Sequence, residues 1–188
     1  MNGIIITDTK LKDLKRLQPF AARDERGNLI KTYEKRQYAE YGIDFETSEI
    51  MFSTSHKGVL RGLHFQTKAP QAKIVTVIKG EVWDVAVDLR KASATCGEWC
   101  GFYLSEEGNE GIYIPEGFAH GFLSLREDTV LMYQCQNAYL KEEDTGILWS
   151  DAELGIKWPA ERADRIIVSK RDQGLGSFLD FMNSCGGL

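Results

Sequence analysis

Short runs rich in apolar and β-branched residues recur along most of this chain with turn-forming residues between them, the signature of many short strands. Lys73–Lys79 (KIVTVIK) is rich in β-branched residues and is punctuated by Gly80. Glu81–Leu89 follows at once. There Trp83, Val85, Val87 and Leu89 fall on one face, and Val82, Asp84, Ala86 and Asp88 on the other. In the run before it, Lys73 shares a face with Val75, Val77 and Lys79. Trp99–Leu104, Gly111–Ile114, Gly121–Leu125 and Thr129–Cys135 read alike. Turn-forming stretches separate them: Glu106-Glu107-Gly108-Asn109, Pro115-Glu116-Gly117 and Arg126-Glu127-Asp128. Helical patterning is confined to Lys35–Tyr41 and Ser177–Met182. The pattern predicts an all-β sandwich or small barrel with a few short flanking helices. A closed barrel of this size has room for one small ligand.

No repeat, low-complexity tract or linker interrupts the 188 residues, so a single domain over residues 1–188 is expected. The formal net charge of −5 argues against a nucleic-acid partner. It leaves room for a small anion, because local arginines set the field of a pocket. Met1-Asn2-Gly3-Ile4-Ile5-Ile6-Thr7-Asp8 lacks the basic start and long apolar run of a signal peptide. No apolar run approaches the ~20 residues of a membrane helix. A cytoplasmic protein without a membrane partner is expected. Cys96 and Cys100 bracket three residues, but no second pair with ligand spacing follows, so free thiols in a reducing compartment are the reading.

The candidate chemistry starts from the three histidines, His56, His64 and His120. His64 lies in the apolar stretch Arg61-Gly62-Leu63-His64-Phe65-Gln66. One imidazole with cations nearby in sequence suggests an acid/base site that handles an anion; the alternative is a hydrogen-bonded core histidine. Simple alternation puts Arg61 one face away from His64. Lys73 opens a buried-looking strand, so its amine either sits in water at the barrel mouth or points inward to hold negative charge. Tyr133, in Val130-Leu131-Met132-Tyr133-Gln134-Cys135, is the third such group. Taken alone, a strand tyrosine reads as core with its hydroxyl satisfied.

Pro115-Glu116-Gly117-Phe118-Ala119-His120-Gly121-Phe122 resembles the second sequence motif of the cupin jelly-roll barrels. The first motif of metal-binding cupins supplies His-x-His and a Glu, whereas this chain has His64-Phe65-Gln66. A mononuclear site needs about three protein ligands, so neither a metal nor another cofactor is expected.

Several stretches then resemble one family in order. They are Lys57-Gly58-Val59-Leu60-Arg61-Gly62-Leu63-His64-Phe65-Gln66, Val85-Ala86-Val87-Asp88-Leu89-Arg90, Ile114 through Phe122, Met132-Tyr133, Gly146-Ile147-Leu148-Trp149 and Ile156-Lys157-Trp158-Pro159. The chain resembles the dTDP-4-dehydrorhamnose 3,5-epimerases, metal-free cupins of nucleotide-sugar metabolism, from about Phe20 to Asp172. The resemblance implies a cupin-type jelly-roll β-barrel, a homodimer, and epimerisation of a nucleotide-linked 4-keto-6-deoxyhexose at C3 and C5. By the same resemblance His64 is the base and Asp172 the carboxylate that orients it. Lys73 stands beside the C4 oxygen, and Tyr133 delivers a proton to the opposite face. Arg61 and Arg26 hold the diphosphate, with the Arg26 segment reaching into the partner's site. His120 is a second pocket histidine, and Lys31, Glu49, Met51, Asp144 and Arg171 complete the substrate-binding set.

The departures cluster. The family pattern Asp-x-Arg-Gly-x-Phe-x-Glu appears as Asp24-Glu25-Arg26-Gly27-Asn28-Leu29-Ile30-Lys31. Glu49-Ile50-Met51 replaces Gln-x-Asn before the Ser-x-Ser-x-Lys-Gly stretch, Ala138-Tyr139 replaces a tyrosine pair, and Arg171 a lysine. The loop between His64 and Lys73 is one residue shorter. By resemblance, most of these positions surround the nucleoside, so a CDP- or GDP-linked sugar is an alternative to dTDP, as is epimerisation at one centre only. A metal-dependent cupin and a non-catalytic sugar-nucleotide-binding cupin are the competing classes. The joint presence of His64, Lys73, Tyr133 and Asp172 argues for catalysis.

Overall fold

The expected strands form, and they pair into two facing sheets. The computed structural model describes residues 3–188; Met1 and Asn2, included in the one-domain expectation, lie outside them. In chain order the elements are β1 (Ile5–Asp8), β2 (Lys15–Gln18), β3 (Phe20–Asp24), β4 (Gly27–Lys31), α1 (Lys35–Glu40), β5 (Glu49–Ser55), β6 (Val59–Gln66) and β7 (Lys73–Lys79). They continue with β8 (Glu81–Asp88), β9 (Trp99–Ser105), β10 (Gly111–Ile114), β11 (Phe118–Ser124), β12 (Thr129–Cys135), β13 (Asp144–Gly146), β14 (Ile167–Val168), α2 (Lys170–Gln173) and α3 (Phe178–Cys185). One sheet has the order β1-β2-β10-β7-β12-β5. The other runs β13-β6-β11-β8-β9, with β14 also on β6. The architecture is the cupin-type jelly-roll.

Alternation assigns the faces as expected. Val75 and Val77 of β7, Val82 and Ala86 of β8, and Leu131 of β12 meet between the sheets with Leu104, Ile112 and Phe122. The opposite face of β8 (Trp83, Val85, Val87) packs outward under the C-terminal third, against Ile147, Trp158, Phe178 and Phe181. Ile74 of β7 points the other way, to Tyr38 of α1 and Phe45. Both faces of the central strands are therefore dry, and each fully buried Leu or Val side chain contributes roughly 1.5–3 kcal/mol. Gly80 makes the β7–β8 turn possible: its φ is +85°, and a Cβ there would lie 2.3 Å from Thr129 Oγ1.

The boundaries differ in instructive places. β11 starts at Phe118 rather than Gly121, which puts His120 inside the strand. α3 starts after Ser177, whose hydroxyl accepts from Asp180 N, while the Asp180 carboxylate reaches back to Ser177. β1 to β5 carry exposed or polar residues at most positions and give little periodic signal; β14 and α2 are too short to give one.

Simple alternation fails in β6. Its register on β11 pairs His120 with His64 but Phe122 with Arg61, so three residues of β6 span two of β11. The extra residue falls at Gly62, whose φ of +126° and close approach to Gly121 leave no room for a side chain. Leu60 and Leu63 both point outward as a result. Arg61 and His64 both line the same cavity, correcting the expectation that they face apart.

Candidate active site

One end of the space between the sheets is apolar and filled; toward the other end it opens into a cavity of about 320 Å³. His64, Lys73, Tyr133, Arg61 and His120 all line it, together with Met51, Asp144 and Arg171. His64 and His120 come from β6 and β11 of one sheet; Lys73 and Tyr133 come from β7 and β12 of the other. Groups spread over 70 residues of sequence thus reach one space from opposite walls.

His64 Nε2 lies 2.9 Å from Asp172 Oδ1. Asp172 is 3% exposed and is fixed from several sides. Its backbone N–H donates to Ser169 Oγ, the N-cap of α2, at 3.0 Å. Its second carboxylate oxygen accepts from Gly62 N at 3.3 Å, at the register shift of β6. The pairing of β14 with the start of β6 delivers α2 to this position. With Nε2–H donating to the carboxylate, the lone pair of His64 is on Nδ1. Burial pushes the His64 pKa down, and the hydrogen bond and charge of Asp172 push it up; burial is the larger effect. The imidazole is accordingly held toward its neutral form, the form able to accept a proton.

Lys73 lowers into the cavity from the first position of β7, paired with Cys135 on one side and Ile114 on the other. Burial pulls its pKa down, partly offset by Asp144 and Cys135. Among the described residues no carboxylate forms an ion pair with it. Its amine points inward, which decides between the two readings left open by the sequence. The Tyr133 phenol is pushed up by burial and is fully protonated near neutrality. Its oxygen lies 3.4 Å from Ser53 Oγ, and its ring is edge-on to His120 with centroids 6.1 Å apart.

His120 Nε2 lies 2.9 Å from both oxygens of Asp84, which is wholly buried. Asp84 escaped the sequence reading as a site residue. The signal was there: it is a carboxylate on the inward face of a strand whose neighbours on that face are Val82 and Ala86, and a buried carboxylate requires a partner. Ser53, in contact with Tyr133, escaped too.

At the cavity mouth Arg171 pairs with Asp144 at 2.7 Å, and Tyr139 donates its hydroxyl to the same carboxylate at 2.9 Å. Glu49 accepts from Tyr139 N at 2.7 Å, which ties β5 to this cluster. Arg61 Nε donates to Ser55 Oγ at 3.3 Å and leaves much of its guanidinium exposed beside His64. Arg26 and Lys31 are not brought to this cavity. Arg26 sits on the β3–β4 turn, paired with Asp24 at 2.6 Å, and Lys31 pairs with Glu34.

The arrangement offers a neutral base on one wall, a protonated phenol on the other, and a buried amine between the flanking strands. It suits removal and return of a proton on a carbon whose charge is delocalised onto an oxygen. Comparisons with known proteins point the same way. The family model described as dTDP-4-dehydrorhamnose 3,5-epimerase matches residues 8–180. A dTDP-4-dehydrorhamnose 3,5-epimerase of Methanothermobacter thermautotrophicus is 46% identical over 84% of this chain and 85% of its own length. A crystal structure of the Legionella pneumophila dTDP-6-deoxy-D-glucose-3,5-epimerase in complex with dTDP-4-keto-L-rhamnose superposes with a TM-score of 0.88. It is 38% identical and covers 93% of this chain and 92% of its own. A 3'-monoepimerase of Streptomyces bikiniensis, in complex with dTDP-quinovose, has a TM-score of 0.85 at 29% identity, covering 95% of this chain and 89% of its own.

Proposed function

The chain belongs to the dTDP-4-dehydrorhamnose 3,5-epimerase family and is an isomerase, and from this premise we propose how its cavity inverts C3 and C5 of dTDP-4-dehydro-6-deoxy-D-glucose to give dTDP-4-dehydro-L-rhamnose. Both carbons flank the C4 carbonyl, so losing a proton from either gives an enolate with its charge on the C4 oxygen. His64 takes the proton, and Asp172 stabilises the imidazolium that forms. Lys73 offers its amine to the C4 oxygen. A lysine donor in a dry cavity, with no carboxylate paired to it among the described residues, gains most when that oxygen becomes negative, so its stabilisation is concentrated in the transition state. Tyr133 returns a proton to the face opposite His64. The observation that carries this reading is the origin of base and acid in opposite sheets, since inversion requires the proton to leave one face and arrive on the other.

Arg61 and Arg171 flank His64 at the mouth, where guanidinium forks suit a diphosphate. His120, Met51, Glu49 and Asp144 complete the wall around the bound sugar nucleotide. Arg26 and Lys31 serve a second copy of this chain. The β3–β4 hairpin that carries them is exposed, with Leu29 at 68%, and its strands pair only with each other. The edge strand β5 itself carries the exposed side chains Ile50 and Phe52, and Ile78 of β7 is exposed in the same sheet. A homodimer that covers this face and takes the hairpin into the partner's cavity accounts for both features. The chain is proposed to act as one domain in the cytoplasm, a reducing compartment that its unpaired cysteines suit. No helix among the described residues is long and apolar enough to cross a membrane.

The test is proton exchange in D2O with dTDP-4-keto-6-deoxyglucose, followed at C3 and C5 by NMR. Deuterium at both carbons is expected. Deuterium at one carbon would make the enzyme a single-centre epimerase, the reading that likeness to the Streptomyces monoepimerase favours. No exchange by folded protein, with tight binding of CDP or GDP in place of dTDP, would move the activity to another nucleotide.

A further inference from the structure

Ser53-Thr54-Ser55 places two hydroxyls on the inward face of β5, which lies at the edge of its sheet. Each meets a different site residue: Ser55 Oγ accepts from Arg61 Nε at 3.3 Å, and Ser53 Oγ lies 3.4 Å from Tyr133 Oη. The second contact follows from the register. Ser53 pairs with Leu131 and Met51 with Tyr133, so Ser53 and Tyr133 are diagonal neighbours on one face of antiparallel strands. Among the described residues, Ser53 is the sole side chain hydrogen-bonded to the phenol.

We propose that Ser53 is a positioning residue for Tyr133, donating its hydroxyl proton to the phenolic oxygen so that the phenol's own proton is aimed into the cavity. This rests on the reading of Tyr133 as the proton donor. The direction of the bond follows from the chemistry. If Tyr133 donated to Ser53, its proton would be turned away from the substrate. With Ser53 as donor, the Tyr133 O–H bond breaks, a C–H bond forms at the enolate carbon, and the electron pair stays on the phenolate oxygen. Ser53 keeps its proton and strengthens its hydrogen bond to the new charge. Solvent reprotonates the phenolate before the next turnover. Burial opposes a phenolate here; the hydrogen bond from Ser53 is the largest effect that offsets that cost, with the charge of Arg61 adding to it. Hydrogen bonds in empty active sites are commonly long and tighten once substrate is bound.

The experiment compares Ser53→Ala and Ser53→Thr with the unaltered enzyme on dTDP-4-keto-6-deoxyglucose in D2O. For Ser53→Ala, kcat for epimerised product is expected to fall by about 10- to 100-fold, the worth of a hydrogen bond to a developing charge. KM is expected to stay within about twofold, and binding of dTDP by calorimetry to be unchanged, which shows that the variant is folded. Deuterium should still enter recovered, uninverted substrate, because His64 removes protons without help from Ser53. Ser53→Thr, which keeps the hydroxyl, should restore most of kcat. Undiminished kcat in Ser53→Ala, or equal loss in both variants, overturns the role of Ser53 while leaving the epimerase reading intact. No exchange or turnover by the unaltered enzyme overturns that reading itself, and the role of Ser53 falls with it.

Discussion

Burial acts on His64 and Tyr133 in opposite senses and prepares both. It lowers the imidazole pKa and raises that of the phenol, so each is neutral at pH 7, one ready to accept a proton and the other to give one. The same burial makes both products of proton transfer costly, and each has a neighbour that offsets the cost: Asp172 for the imidazolium, Ser53 for the phenolate. The pH dependence follows. Because the folded pKa of His64 lies below its ordinary value of 6.5, kcat/KM should hold from neutrality down to about that value and decline below it. Asp172→Asn removes the group that raises the pKa, so the acid limb should move to still lower pH while kcat falls at least tenfold, as expected for losing the partner of a catalytic base. A kcat/KM profile against pH checks both; a limb that moved upward would count against the pair. For stability the sign is the same. A depressed folded pKa means that the unfolded chain binds the proton more readily, so this contribution is present above about pH 6.5 and is lost as pH falls.

At the level of elements, edge pieces complete a site whose centre is built from central strands. β5 is an edge strand and supplies Ser53 and Ser55; β14 is two residues long and delivers α2 with Asp172. The β3–β4 hairpin stands apart with Arg26 on its turn. If that turn completes the partner's cavity, Arg26→Ala and His64→Ala should each be nearly inactive alone, yet mixing them should restore activity. A mixed dimer has one cavity with an intact His64 and an intact Arg26 from across the interface. With random exchange, half the dimers are mixed and each has one working cavity, so about a quarter of full activity is expected from the two-fold symmetry of such an interface. Subunit exchange followed by an activity assay measures it; no recovery would assign Arg26 to its own chain.

For the whole molecule, the two sheets must hold their spacing if His64 and Tyr133 are to reach one sugar ring. Leu131 is wholly buried between them, two residues before Tyr133 on the same face. Leu131→Ala should cost about 2–5 kcal/mol in denaturant unfolding. It should lower kcat more than it raises KM, because the wall that carries the phenol loosens. The sequence by itself determined the strands from β7 to β12, because dry packing on both faces writes short, nearly continuous apolar runs, rich in β-branched and aromatic residues and bounded by turn residues. It also singled out His64, Lys73 and Tyr133 as candidates, and these three line one cavity. Only the tertiary structure decided that Arg61 shares a face with His64, since one extra residue at Gly62 shifts the side-chain phase and alternation carries no mark of a bulge. It also decided the partners Asp84 and Ser53 and kept Arg26 and Lys31 out of their own chain's cavity. Those facts depend on which strand lies beside which and in what register, and pairing across the chain is set by the joint burial of many side chains, not by any local run of residues.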